Sequence, residues 1–358
     1  MKRVTFPHMG NLWIPARAFF QEMGLEVVVP PKNSKKTLDL GIKYSPEFAC
    51  LPLKINLGNF IEALERGADT IVMGGGCGPC RFGYYGEVQQ AILKELGYDV
   101  RMIVLEPDLI QGYRELRDLF GGFPLKRLFN AGKLAWNKIL AMDKIHRLVL
   151  KRRATERMAG QVDKLYNAFL AKLDQTMSVD GINRLKREYR ELIDDTRGKF
   201  KRGMEIKIGL VGEIYLIIEP FVNLEIEKKL GQLGATVEKE VYISNWLSHF
   251  LHLDNEMETI TKAAEPYLRS FVGGHGIDSV GNAVRYARRG FDGVIHIGPF
   301  TCMPEIVAQT ILPEVSQREG IPFISLFFDE HSGDAGLITR LEAFIDLIGR
   351  RKKIVNYK

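Results

Sequence analysis

The chain has 358 residues, 46% hydrophobic and 26% charged, long enough for two domains with cores of their own. No apolar run approaches the ~20 residues of a membrane span, and Met1-Lys-Arg-Val-Thr-Phe-Pro7 reads as a first strand rather than an export signal, so a cytoplasmic protein without membrane contact is expected. Net charge is +6, yet residues 109–203 hold 22 Lys and Arg against 11 Asp and Glu, while the remainder holds 28 against 33; no nucleic-acid motif accompanies the basic stretch, which reads as a solvated helical surface with no nucleic-acid partner.

Residues 1–108 alternate between β-rich runs (Arg3–Phe6, Leu25–Val29, Thr70–Met73, Val100–Leu105) and helical patterns (Ile14–Gly24, Asn59–Gly67, Glu87–Gly97), several closed by a glycine stop. Strands separated by helices predict a parallel sheet with helices on its faces. Residues 109–203 lose the strand signal. There Val162, Leu165, Tyr166, Phe169, Leu170 and Leu173 mark one helix face, and Val179-Asp-Gly181 reads as the turn before a helix over Ile182–Arg197. Residues 204–358 return to α/β, with strands expected at Ile206–Val211, Ala235–Val241, Gly293–Ile297 and Pro322–Phe327 and a last helix over Gly336–Arg350. The expected organisation is two Rossmann-like α/β domains, 1–108 and 204–358, facing across a cleft, with a basic helical insertion at 109–203.

The two α/β parts repeat one plan. Phe20–Val29 resembles Leu230–Lys239 as helix, glycine stop and strand; Gly67-Ala-Asp69 leading to Cys77 resembles Gly290-Phe-Asp292 leading to Cys302. Open α/β sheets bind ligands outside the carboxyl ends of their strands, which is where the cysteine loops fall.

All four cysteines lie in Gly- and Pro-rich sequence: Tyr44-Ser-Pro-Glu-Phe-Ala-Cys50-Leu-Pro-Leu-Lys54, Gly74-Gly-Gly-Cys77-Gly-Pro-Cys80-Arg-Phe-Gly83 and Gly298-Pro-Phe-Thr-Cys302-Met-Pro-Glu305. Cys77-Gly-Pro-Cys80 alone is ambiguous among zinc, thiol–disulfide exchange and iron–sulfur ligation. A structural zinc site usually draws on two close pairs, whereas Cys50 and Cys302 are isolated, a dispersion that suits a cluster assembled from several loops. Bare backbone around Gly76 and Gly78 could hydrogen-bond cluster sulfurs.

Cys50-Leu-Pro-Leu-Lys54 with Gly58, the Cys77–Cys80 loop, Pro299-Phe-Thr-Cys302-Met-Pro304 and Glu330-His-Ser-Gly-Asp334 through Phe344 together resemble the 2-hydroxyacyl-CoA dehydratase superfamily, in its small branch related to CoA enzyme activases. The resemblance implies two α/β domains clamping an iron–sulfur cluster, here a 4Fe–4S centre with Cys50, Cys77, Cys80 and Cys302 as ligands. It implies an acyl-CoA substrate and a separate activase ATPase as electron donor, for a radical dehydratase or an ATP-driven reductase component. Such dehydratases typically use three cysteines and leave one iron open. A fourth thiolate here would close that position and favour electron transfer, in an electron-carrier or scaffold subunit; a zinc-stapled protein is a third reading. The resemblance is compatible with a homo- or heterodimer. No Walker A sequence or actin-like phosphate loop is present, so no ATP site is expected in this chain.

Lys54 and Arg81, beside Cys50 and Cys80, could balance cluster charge or grip a carboxylate or phosphate. Glu213, after a strand, and Glu330 with His331, after the last strand, are candidates for proton handling. His8 follows the first strand and could face the cleft. His249 and His252 read as helix-face residues, His296 as a satisfied core residue and Gly273-Gly-His-Gly276 as a lone turn.

Overall fold

The computed structural model describes residues 2–76, 79–105, 109–122, 125–200, 204–250 and 255–356. The chain runs β1 (Arg3–Thr5), α1 (Trp13–Glu22), β2 (Glu26–Val27), α2 (Lys35–Tyr44), α3 (Leu51–Glu65), β3 (Thr70–Gly74), α4 (Tyr85–Glu95), β4 (Arg101–Leu105) and α5 (Leu109–Phe120), with a 3₁₀ turn at Arg81–Tyr84 before α4. Three helices follow: α6 (Leu125–Arg153), α7 (Gln161–Gln175) and α8 (Val179–Asp194). The chain then forms β5 (Ile206–Gly212), α9 (Ile214–Ile218), α10 (Ile226–Gln232), β6 (Ala235–Lys239), α11 (Ile243–Phe250), α12 (Glu256–Ala264) and α13 (Gly276–Arg288). It ends with β7 (Gly293–Pro299), α14 (Met303–Glu319), β8 (Phe323–Phe328) and α15 (Asp334–Asn356).

The strands form two four-stranded, all-parallel sheets, ordered β2-β1-β3-β4 and β6-β5-β7-β8. This is one order used twice, as the sequence repeat anticipates. In both sheets the order reverses between the first and third strands, and the crevice at such a switch point is where an open α/β sheet takes its ligand. The loops at those crevices follow β1, β3, β5 and β7. They carry His8, Cys80, Glu213 and Cys302 respectively.

Helix α3 joins the two halves. All of its residues from Leu51 to Leu64 are buried. Leu53, Leu57, Phe60 and Ile61 pack on Ile71 and Met73 of the first sheet, whereas Leu51 and Ile55 enter the core of the second sheet with Ile208, Leu210 and Ile297. Each such fully buried aliphatic or aromatic side chain contributes roughly 1.5–3 kcal/mol. Burial on every side is the mark of a helix between layers. Gly41 of α2 and Gly58 of α3 permit close crossing: a Cβ on Gly41 would stand 1.9 Å from the Lys54 carbonyl oxygen, and one on Gly58 1.9 Å from that of Thr37.

The sequence places a helix only over Asn59–Gly67. The structure starts it at Leu51, because Pro52 falls in the first turn, where a missing N–H costs nothing. Helix α2 also goes unannounced, although Ser34 caps it with a reciprocal Ser34–Thr37 capping box.

Helices α6–α8 make a separate core with α1, in which Ile14, Met142, Ile145, Phe169 and Tyr189 meet. Leu119 of α5 packs with Val4, Phe6 and Ile103 of the first sheet. Among the described residues no helix is long and apolar enough to cross a membrane.

Candidate metal centre

Cys50 is the N-cap residue of α3, Cys302 that of α14, and Cys80 that of the 3₁₀ turn. None of the three thiols caps its helix by a side-chain hydrogen bond. The first N–H groups and the positive dipole ends of α3 and α14 therefore point toward the cysteine ends, which suits anionic sulfur. Cys77 and Gly78 lie outside the described residues.

Backbone contacts tie the cysteine loops together. Arg81 Nη1 donates to the Phe48 carbonyl at 2.8 Å, and Thr301 Oγ1 donates to the same oxygen at 3.3 Å. Three loops, from both sheets, thus meet at one carbonyl. The Gly273-Gly274 turn wedges in beside them: a Cβ on Gly273 would stand 2.8 Å from the Cys80 amide nitrogen, and one on Gly274 3.1 Å from Pro304 Cγ and 3.7 Å from Cys80 Sγ. That turn is not a lone loop, as its sequence suggests, but part of the wall. Both glycines have positive φ, +84° and +46°, so a side chain there would meet backbone strain as well as crowding. Gly76 is packed similarly, its Cβ position 3.0 Å from Phe82 Cδ1.

Cys50 and Cys302 are buried and Cys80 is half-buried. Burial pushes the Cys50 thiol up to about 11, although a short hydrogen bond with Tyr85 Oη works the other way. Burial also raises Cys80 and, more strongly, Cys302, with the carboxylates of Glu213 and Glu305 adding to both. A thiol–disulfide nucleophile needs the opposite, a depressed pKa. Buried thiols that resist ionising on their own become thiolates when a metal supplies the compensating charge.

The donor set fits a thiolate-bound centre. Thiols from both sheets stand at helix N-termini, on loops that the Phe48 carbonyl ties together. Among the described residues no three His, Cys, Asp or Glu side chains meet closely enough to hold a single metal ion. In a 4Fe–4S centre each thiolate binds a different iron, so its ligands need not meet at one point.

Glu213 closes the β5 crevice but is committed to structure. Its Oε1 and Oε2 accept the Tyr215 and Leu216 N–H groups at 2.9 and 3.0 Å, capping α9. Burial raises its pKa, the two amide bonds oppose that, and Glu305 adds to the rise. Glu330 does not pair with His331. It turns to Lys54 at 2.6 Å, while His331 is exposed and only its backbone N–H is engaged, by Asp329 Oδ1 at 3.0 Å. Lys54 thus grips a carboxylate of its own chain, and Arg81 a carbonyl.

Sequence reasoning missed Glu305 and His275. Glu305 is fully buried in the first turn of α14; its Oε2 accepts from Ser279 Oγ at 2.8 Å and lies 2.8 Å from His296 Nε2. The His296 Nδ1 lies 2.9 Å from Ser325 Oγ, which satisfies that core histidine on both sides. Glu305 Oε1 is buried and has no hydrogen-bond partner among the described residues. His275 heads α13 with Nδ1 2.8 Å from Asp278; burial disfavours its charge, but Asp278, Glu305 and Glu213 outweigh it and its pKa is raised. The one local signal was Glu305 three residues after Cys302, at a helix start. His8 turns from the cysteine loops to the opposite end of α9, where Nδ1 lies 3.1 Å from Glu219 Oε2. The His249 side chain and His252 lie outside the described residues.

Residues 8–74 match the family described as the CoA enzyme activase uncharacterised domain (DUF2229). The match runs from His8 to the end of β3 and contains Cys50 and all of α3, but none of the other cysteines. No curated protein matches the chain.

Proposed function

We propose that this chain is an iron–sulfur protein working with a CoA enzyme activase in ATP-driven, low-potential electron transfer, with a 4Fe–4S cluster held by Cys50, Cys77, Cys80 and Cys302. The observation that carries the reading is that Cys50 and Cys302 stand at the N-termini of long helices packed on the two sheets, with their loops and the Cys80 loop joined at the Phe48 carbonyl. The match of residues 8–74 to an activase-associated domain supports the same setting.

Bound there, the cluster would supply one-electron chemistry at low potential. The chain's own residues do the rest. Helices α3 and α14 fix two thiols from either side of the crevice and favour negative charge at their N-termini. Buried Tyr85 holds the Cys50 sulfur by its hydroxyl. Exposed aromatics rim the loops: Phe48, Tyr84, Phe271 and Phe300 are 76%, 70%, 65% and 62% exposed. An ATPase donor would dock on such a rim, since exposed aromatic groups clustered beside a redox centre suit a transient partner. Four thiolates leave no iron open, so a reductase component or electron carrier is favoured over a dehydratase-like lyase acting on acyl-CoA.

Anaerobic purification with iron and acid-labile sulfide analysis tests the cluster. Iron and sulfide in about equal amounts support it; stoichiometric zinc without sulfide overturns it. EPR of the reduced protein with and without acyl-CoA esters separates the two roles: an unchanged spectrum favours the carrier, and a perturbed one an open substrate iron.

A further inference from the structure

A second cavity, of about 550 Å³, lies between the loop after β1, the α9–α10 segment and helices α6 and α7. None of the described cysteines lines it, and α9 separates it from Glu213. Its volume lies in the range of small-molecule sites.

The carboxylates on its wall are already engaged. Asp163 Oδ1 takes Arg153 Nε and Nη2, each at 2.8 Å. Glu227 meets Lys239 Nζ at 2.7 Å and His146 Nε2 at 3.0 Å. Glu219 lies against His8 Nδ1 and accepts the Gly10 N–H at 2.7 Å and the Phe221 N–H at 3.2 Å. Asp143 and Glu225 are likewise held, by the Ser244 N–H and by Lys228.

Hydrogen-bonding capacity is left over on two nitrogens of the wall, beside the free acceptor Asn33 Oδ1. Arg153 Nη1 is buried and has no hydrogen-bond partner among the described residues, with Glu227 Oε2 4.0 Å away. Lys32, exposed, lines the same cavity and pairs with no carboxylate among the described residues. His8, its side chain only 7% exposed, leaves Nε2 unpartnered on the same wall. A buried donor without an acceptor costs about 1–3 kcal/mol, more when charged, and an anionic ligand relieves that cost. A guanidinium N–H is a strong, charge-assisted donor to a carboxylate oxygen. Trp13, Leu170, Ile217 and Phe221 supply an apolar wall for the rest of the molecule.

The geometry points to a binding site for a small organic monocarboxylate, its charged end at Arg153 and Lys32 and its apolar body against Trp13 and Phe221. This site is independent of the proposed cluster, so loss of one leaves the other open to measurement.

Benzoate, with benzamide as its neutral isostere, is titrated into the full-length protein by calorimetry and tryptophan fluorescence. Saturable benzoate binding is expected, with benzamide on the order of tenfold weaker, the loss of one charge contact. Lys32→Ala, at an exposed position, and a folded Arg153→Met each weaken benzoate by a similar factor. The site is overturned if benzoate does not saturate by about 10 mM, if benzamide binds equally well, or if neither substitution weakens binding.

Discussion

Lys54 Nζ lies 2.6 Å from Glu330 Oε1, an ion pair between the helix shared by both sheets and the loop after the last strand. The lysine side chain is only 5% exposed and the glutamate 19%. The pair therefore fastens the two halves close to the cysteine end of α3. Glu330→Gln leaves a buried ammonium without its counter-charge and is expected to cost about 3–5 kcal/mol. Lys54→Met removes the charge with its stem retained and costs less. Urea unfolding of the two variants checks the order.

The same pair sets an acid limit. Burial acts to raise the Glu330 carboxyl, but the Lys54 hydrogen bond and charge outweigh it, and the pKa is lowered. A carboxyl depressed in the folded state stabilises above its unfolded value of about 4.3, and that stability is lost as pH falls through the folded value. The stability gap between the native chain and Glu330→Gln is therefore full at pH 7 and closes below about pH 4. Unfolding midpoints from pH 7 to 3 follow it.

Lys138 gives the same sign of pH dependence in the alkaline range. It is fully buried in α6, where its Nζ donates to the Asp174 carbonyl at 2.9 Å, near the end of α7. Burial lowers its pKa to about 8, against a smaller pull from Asp174. Between that value and the unfolded value of about 10.4 the unfolded chain binds the proton that the folded chain has released, so stability rises with pH. Relative to Lys138→Met, the native protein gains on the order of 2–3 kcal/mol across that window. Paired denaturation curves at pH 7.5 and above about pH 10 measure the gain.

Gly58→Ala puts a Cβ 1.9 Å from the Thr37 carbonyl oxygen, a contact with rigid backbone. Helices α2 and α3 must part, at a cost of about 1–3 kcal/mol or more. Since Cys50 is the N-cap residue of α3, iron content is expected to fall with stability. Gly336→Ala, whose Cβ would meet nothing within 4 Å, is the control and leaves both unchanged.

Cys302→Ser keeps the start of α14, because the thiol makes no capping bond there. It is expected to lose most of the iron and sulfide while far-UV circular dichroism is retained. A full cluster in this variant would remove Cys302 from the ligand set.

Local rules wrote much of this fold into the sequence. The β-rich runs and glycine stops mark all eight strands within about two residues at each end, because side-chain periodicity and turn chemistry act over a few residues. The repeated helix–glycine–strand segments foretell the repeated strand order. The cysteines advertise themselves by their glycines and prolines. Tertiary structure alone decided how these parts meet. That Leu51–Leu64 is buried on every side follows from two sheets closing on one helix, and the Lys54–Glu330 pair spans 276 positions. His8 and Glu213 follow equivalent strands, yet one turns to the carboxylate cavity and the other stays by the thiols, because α9 stands between Glu213 and the Glu219 that holds His8. The Gly273-Gly274 turn has no local feature to tie it to Cys80; only the fit of bare backbone against Pro304 and the Cys80 amide brings it there. Such contacts depend on which surfaces are pressed together after the sheets form, and no local pattern encodes that.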